Sequence, residues 1–189
     1  MNVGVRIRRM REAQDLSIEQ VAEITGLDAS YIEAIERGDE IPPIGVVIKT
    51  SRALGSRMGQ IIHGGGPSPD IFSICKEGIE MEHDRTGRDI RPRQGYSYKS
   101  LLSENIRGQA MEPFLVTFNS DAAETVQPMS HEGEEFIYLL SGTLELVYDD
   151  DIYTLKAGES AYIDSSRPHA FKGKGEPSPT AIAVIFSKS

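Results

Sequence analysis

The hydrophobic period of this chain changes at one place. Up to residue 63 the apolar side chains recur at helical spacing; beyond Gly64-Gly-Gly-Pro-Ser-Pro69 they mostly alternate as in strands. Gly, Pro and Ser make that segment a joint. No single layer satisfies both periods, so the chain is predicted to be multidomain, α then β. The expected units are a helical domain over 1–63, a linker over 64–70 and a strand domain over 71–189.

The first part divides into about five helices. Val3–Gln14 carries Ile7 and Met10 on one side and arginines at 6, 8, 9 and 11. Ser17-Ile-Glu-Gln20 is a capping box, starting a helix with Val21, Ala22 and Ile24 inward. Gly26 ends that helix and Asp28 caps the next, Ala29–Arg37, with Ile32 and Ile35 for the core. Pro42-Pro43 opens a fourth helix ending near Leu54-Gly55, and Arg57–Ile62 gives a fifth. Two capped helices joined by Thr25-Gly26-Leu27 form a helix-turn-helix, whose second helix enters the major groove of operator DNA.

The second part reads as an entry strand at Ile71–Ile74, a long loop over 76–95 and eight short strands. These are Tyr96–Leu102, Glu112–Phe118, Glu135–Leu140, Thr143–Tyr148, Ile152–Leu155, Ser160–Ile163, His169–Lys172 and Thr180–Phe186. Short strands with tight turns indicate an antiparallel sandwich or barrel. At the mouth of the third of these strands His131 and Glu135 stand four residues apart, and His169 follows behind its own turn. Two imidazoles and one carboxylate can close three faces of a divalent metal and leave the others open. The alternation puts Glu135, Ile137 and Leu139 on one inward face, where an unpaired carboxylate is costly; a metal, or a histidine or arginine partner, offsets the cost. Gly133 supplies a bend that folds the His131 ring toward Glu135.

Charge narrows the function classes. The net charge is −9, which argues against a nucleic-acid coat. Residues 1–63 hold eight Lys/Arg and nine Asp/Glu, net −1, against twelve and twenty beyond, net −8. Specific DNA binding by the first part is compatible with this, but more salt-sensitive than for a basic domain. No apolar run reaches membrane-spanning length and the N-terminus lacks a signal-peptide core, so no membrane partner and a cytoplasmic location are expected. Cys75 reads as a small buried residue, His63 and His83 as exposed loop residues, and Asp149-Asp150-Asp151 as a solvated hairpin tip. Lys99 and Arg107 are surface cations able to pair with an anionic ligand.

Arg11, Leu16-Ser17, Val21-Ala22, Gly26, Ile32, Ile35-Glu36-Arg37-Gly38 and Leu54-Gly55 make the first part resemble the Cro/C1-type (XRE-like) helix-turn-helix domains over residues 3–62. Matching that motif puts Ala29, Ser30, Tyr31, Glu33 and Ala34 toward the groove, with Arg37, Arg6 and Arg9 available to phosphates. The set lacks Gln or Asn for adenine and Arg for guanine. The resemblance also implies an internal Arg11–Glu36 ion pair, and Ile18 stands where the family often has a backbone-contacting Gln.

His131, Glu135, Gly142, Gly158 and His169 make the second part resemble the cupin domains, which implies a jelly-roll β-barrel over about 97–186. Met129 replaces the first histidine of the family motif, and Asp164 and Ser166 replace the Pro and Gly of its second turn. Three of four family ligands remain, a set that fits zinc, iron, nickel or manganese; many sensor cupins bind no metal. Tyr96, Tyr98, Phe114, Met129, Tyr138, Tyr162 and Phe171 are the candidate pocket walls, with core filling the alternative for each aromatic. Together the two resemblances imply a homodimeric transcriptional regulator whose barrel senses a small-molecule effector. A metal-dependent non-heme iron oxygenase or epoxidase with an appended helix-turn-helix is the competing class, and a bare metabolite-binding module the third.

Overall fold

The structure is a computed structural model that describes residues 3–64, 79–80, 95–102 and 109–186. They belong to two compact units, one built on helices and one on strands. Of the expected 64–70 linker only Gly64 is described, and the expected Ile71–Ile74 strand, Cys75, His83 and Arg107 lie outside the described residues.

The helical unit holds the five expected helices: α1 (Val3–Glu12), α2 (Ile18–Thr25), α3 (Ala29–Arg37), α4 (Ile44–Ala53) and α5 (Met58–His63). Ser17 starts α2 as its sequence requires. Its hydroxyl accepts from the Gln20 amide at 3.2 Å, and the Gln20 side chain accepts from the Ser17 amide at 2.8 Å. Asp28 occupies the N-cap position of α3 without a side-chain hydrogen bond to the helix. Val21, Ile32 and Ile35 are buried as expected, but Ile24 is 60% exposed. At 3.6 residues per turn, Thr25 lies about 40° from Val21 and Ile24 about 60° to the other side. The buried stripe of α2 therefore runs through Val21 and Thr25, whose hydroxyl bonds the Val21 carbonyl at 2.7 Å.

α1 lies against α3 so closely that a Cβ on Gly4 would stand 1.9 Å from the Ile35 carbonyl oxygen. The crossing is locked by Arg11, which pairs bidentately with the buried Glu36 (Nε–Oε1 2.7 Å, Nη2–Oε2 2.8 Å) and donates to the Leu16 carbonyl at 2.9 Å. This is the internal ion pair that the sequence implied. The guanidinium pKa is raised by its bond to Glu36.

The strand unit holds β1 (Ile79–Glu80), β2 (Tyr96–Ser100), β3 (Met111–Phe118), β4 (Glu134–Ser141), β5 (Thr143–Tyr148), β6 (Asp151–Lys156), β7 (Ser160–Asp164), β8 (His169–Lys174) and β9 (Thr180–Phe186). All eight expected strands form. β1 falls inside the stretch read as loop, and a 3-10 turn at Ser120–Thr125 was not expected. Every described pairing is antiparallel. The strands make a six-stranded sheet, β1-β2-β3-β9-β4-β7, and a three-stranded sheet, β6-β5-β8. Among the described residues the expected barrel is thus an open two-sheet sandwich rather than a closed cylinder. The sheets meet where Phe118 of β3 packs on Phe171 of β8, ring centroids 6.4 Å apart. Gly173 of β8 permits that approach, since a Cβ there would lie 2.8 Å from the Phe118 Cβ.

Alternation decides what faces inward. On β3 Glu112, Phe114, Val116 and Phe118 are buried, on β4 Glu135, Ile137 and Leu139, and on β9 Ala181, Ala183 and Ile185. The register aligns Glu112, Ile185 and Glu135 across three adjacent strands. β4 therefore delivers the Glu135 carboxylate to the inner face, in the same row as the buried Glu112 and at the strand end that receives the β7–β8 turn.

Candidate functional site

The inner end of β4 gathers three expected ligands. His131 Nε2 lies 2.6 Å from Glu135 Oε1, and His169 Nε2 lies 3.3 Å from the same oxygen. The ligand atoms of the three all lie within 4.8 Å of one another, and all three residues are buried. The imidazole rings meet edge to face with centroids 5.2 Å apart.

Local backbone accounts for this convergence. Gly133 takes φ +115°, a conformation open to glycine, and turns the chain so that His131 folds back over Glu135. The His131 amide donates to the Ser165 carbonyl at 2.8 Å, tying the segment before β4 to the β7–β8 turn. Met129 and His169 exchange backbone hydrogen bonds of 2.9 Å each way. Met129 therefore stands beside His169, where the cupin pattern has its missing histidine. Each histidine also has its Nδ1 next to a carbonyl, Arg167 O at 2.9 Å and Glu132 O at 3.3 Å. Such contacts fix the ring so that Nε2 points at the shared centre, as outer contacts of metal-binding histidines do.

Electrostatics explain why a carboxylate survives here. Burial pushes the Glu135 pKa up, but hydrogen bonds and attraction from His131 and His169 outweigh it and hold the group at about 2. For His169 burial lowers the pKa, and the contact with Glu135 more than reverses this, leaving it raised. Ser165 adds a buried hydroxyl that donates to Glu135 Oε1 at 3.2 Å. Ser165 was missed, because in sequence it looks like any residue of a polar turn. Glu112 was also missed, although its alternation with Phe114 places it on the inward face. Two imidazole nitrogens and a carboxylate oxygen aimed at one point are a fitting donor set for a divalent cation.

An aromatic row leads into this centre. Phe114 meets Tyr98 (5.5 Å between centroids), Tyr98 meets Tyr96 (6.2 Å), Tyr96 meets Phe118 (6.0 Å), and Phe118 meets Phe171, whose ring stands 6.1 Å from His169. Phe114 and Phe118 are essentially fully buried. Two candidate pocket walls are not there. Tyr138 is 40% and Tyr162 67% exposed, because both occupy strand positions of outward parity, opposite to Glu135 on β4 and Ile163 on β7. Tyr162 instead donates to Glu134 at 2.6 Å.

On the helical unit, α3 buries Ile32, Ile35 and Glu36 and leaves Ser30, Glu33 and Arg37 exposed, with Ala29, Tyr31 and Ala34 half-buried. Arg37 pairs with Glu33 (Nη1–Oε1 2.9 Å) and Asp39 (Nε–Oδ2 2.8 Å). Arg9 is exposed. Arg6 is not available as a phosphate contact: its half-buried guanidinium donates to the Ile61 carbonyl at 3.1 Å and to the Ile62 carbonyl. Helical spacing alone could not separate this anchor from its exposed neighbours.

Known proteins share both units. Residues 7–61 match the helix-turn-helix family and residues 114–186 the cupin domain family. Over 170 residues the chain is 26% identical to the HTH-type transcriptional regulator PuuR of Escherichia coli K12, covering 89% of this chain and 85% of PuuR. The crystal structure of an HTH_3 family transcriptional regulator from Vibrio cholerae superposes with TM-score 0.63 over 99% of this chain and 96% of that one, at 16% identity, a likeness of fold. The iron(II) form of HppE gives TM-score 0.49 at 22% identity over 97% of each chain, too low to carry a functional argument.

Proposed function

We propose that this chain, with its helix-turn-helix and C-terminal cupin domains, is a ligand-controlled DNA-binding repressor or activator. The observation that carries the reading is one chain holding both an exposed α3 face, braced from behind by Ile32, Ile35 and the Arg11–Glu36 pair, and a buried His131–Glu135–His169 centre. Ser30, Glu33 and Arg37 meet base edges or phosphates in the major groove, and Arg9 adds a phosphate contact. Arg37 exchanges its Glu33 and Asp39 partners for DNA.

The cupin unit binds the effector. A divalent metal held by His131, Glu135 and His169 would supply a charged anchor for a small molecule with oxygen or nitrogen donors. Zinc, iron, nickel and manganese all suit this set. The three residues themselves orient that anchor and keep water from it, with Tyr96, Tyr98, Phe171 and Met129 as the wall. The protein works in the cytoplasm as a symmetric dimer, which presents two α3 helices to two half-sites one helical turn apart.

The test is selection of genomic fragments on the purified full-length chain at low salt, with and without cell extract. Enrichment of a palindromic site, altered by extract, is the expected result. No retained fragment at any salt would refute the regulator. Oxygen uptake with ferrous iron that disappears in Glu135→Ala would replace it by an oxygenase.

A further inference from the structure

The two sheets of the cupin unit differ in what they show on their outer faces. The three-stranded sheet turns Glu145, Lys172 and Lys174 outward, and Lys174 pairs with Glu145 at 3.3 Å. That face is mixed, with charged pairs beside a short row of Ala170, Val147 and the exposed Ile152. The six-stranded sheet turns out Met111 on β3, Phe136, Tyr138 and Leu140 on β4, and Tyr162 on β7, each between 37% and 67% exposed. The register makes them one surface. Phe136 sits opposite Tyr162 on one side and Val184 on the other, and Val184 opposite Pro113; Tyr138 sits opposite Ile182, and Ile182 opposite Leu115. Two cross-strand rows running from β3 to β9 and β4 therefore hold no charged side chain, and Glu134 and Asp164 in the next row and Lys99 opposite Leu115 on β2 form a charged rim around them.

We infer that this outer face, centred on Phe136 and Tyr138, is where a second copy of the chain docks. The inference rests on the dimeric reading above and adds the surface. Taking a large apolar side chain as about 200 Å², the five exposed ones present on the order of 500 Å². That is near the upper end for the largest apolar patch of a monomer, roughly 300–600 Å². The half-buried Val184, Ile182 and Leu115 between them extend it toward the roughly 800 Å² per partner of a standard stable interface. The surface is the outer face of an antiparallel sheet, so it suits another such sheet packed about 10 Å away. A like sheet is what a two-fold axis supplies, each copy burying the same residues. β4 then carries the metal-competent Glu135 on its inner face and the dimer contact on its outer face, so an event at the ligand centre and the spacing of two subunits share one strand.

Sedimentation of the full-length protein without DNA tests this. Wild type is expected to be a dimer at micromolar concentration. Tyr138→Lys is expected to raise the dimer dissociation constant at least about 30-fold, as loss of an interface hot spot does. Tyr162→Lys, at a more exposed position, should do likewise, while Ile152→Lys on the three-stranded sheet, 65% exposed, should change nothing. Unchanged far-ultraviolet dichroism in each variant separates lost association from lost folding. A wild type that stays monomeric to 100-fold higher concentration (on the hot-spot scale), a dimer indifferent to both tyrosine variants, or a dimer broken by Ile152→Lys would each overturn the assignment. A dimer broken as expected in a chain that retains no genomic DNA would leave this surface standing and remove the regulator.

Discussion

Removing the charge from Glu135 should destabilise the metal-free cupin unit in a pH-dependent way. The perturbation is Glu135→Gln, which keeps the shape and part of the hydrogen bonding but drops the negative charge. The carboxyl is held at about 2 against an ordinary 4.5. At about 1.4 kcal/mol per pKa unit that corresponds to about 3 kcal/mol of folding free energy. A depressed carboxylate stabilises fully above its unfolded value, about 4.5, and loses that stabilisation as pH falls through about 2. His169 runs the other way. Its raised pKa means that its share is complete below its unfolded value of 6.5 and is lost as pH rises through the folded one. These are two views of one ion pair, so the gap between wild type and Glu135→Gln should peak between pH 4.5 and 6.5. It should shrink on both sides. The assay is urea unfolding in a chelator at pH 3.5, 5.5 and 8.5 (about one unit or more apart from either edge), followed by tyrosine emission. Tyr31 is the one tyrosine of the helical region among seven in the chain, which has no tryptophan, so the signal reports the strand unit. A gap of equal size at all three values, or one largest at pH 8.5, would refute the electrostatic account.

Four further outcomes are expected. Glu36→Ala leaves the half-buried Arg11 guanidinium without its bidentate partner, so the helical unit should lose about 1.5–3 kcal/mol, measured as a lower urea midpoint by helical dichroism. Gly4→Ala places a methyl group 1.9 Å from the Ile35 carbonyl and should unseat α1, costing about 2 kcal/mol or more by the same measurement. Arg9→Ala should weaken binding to the selected DNA across all sequences and flatten the salt dependence by about one ion, whereas Arg6→Ala should act through lower stability instead. His169→Ala should abolish tight divalent-metal binding in calorimetry, and wild type should release protons on binding below neutral pH, because the raised His169 must deprotonate to ligate.

Much of this architecture was legible from local pattern. The strands beginning at Thr143 and Thr180 appear where alternation placed them, since alternation is a direct record of which face is buried. Ser17 and Gln20 announced the start of α2 because a capping box is a contact between neighbours in sequence. His131, Glu135 and His169 were recoverable because two short motifs keep fixed spacings around tight turns. Where two readings shared a pattern, local information failed. Arg6 and Arg9 look alike along a helix, yet one grips the end of α5 and the other faces outward. Tyr138 and Tyr162 have the aromatic character of a pocket wall but the strand parity of the outer face.

By itself the sequence determined the two units, their elements and the three groups at the ligand centre, because periods, caps and turns act over a few residues. Tertiary structure decided the rest. It set Ser165 against Glu135 across thirty positions of chain, brought His169 beside Met129 and aligned the apolar rows of four strands on one outer face. Those relations depend on which strands pair and in what register, and pairing is fixed by burial of the whole interior rather than by any segment alone.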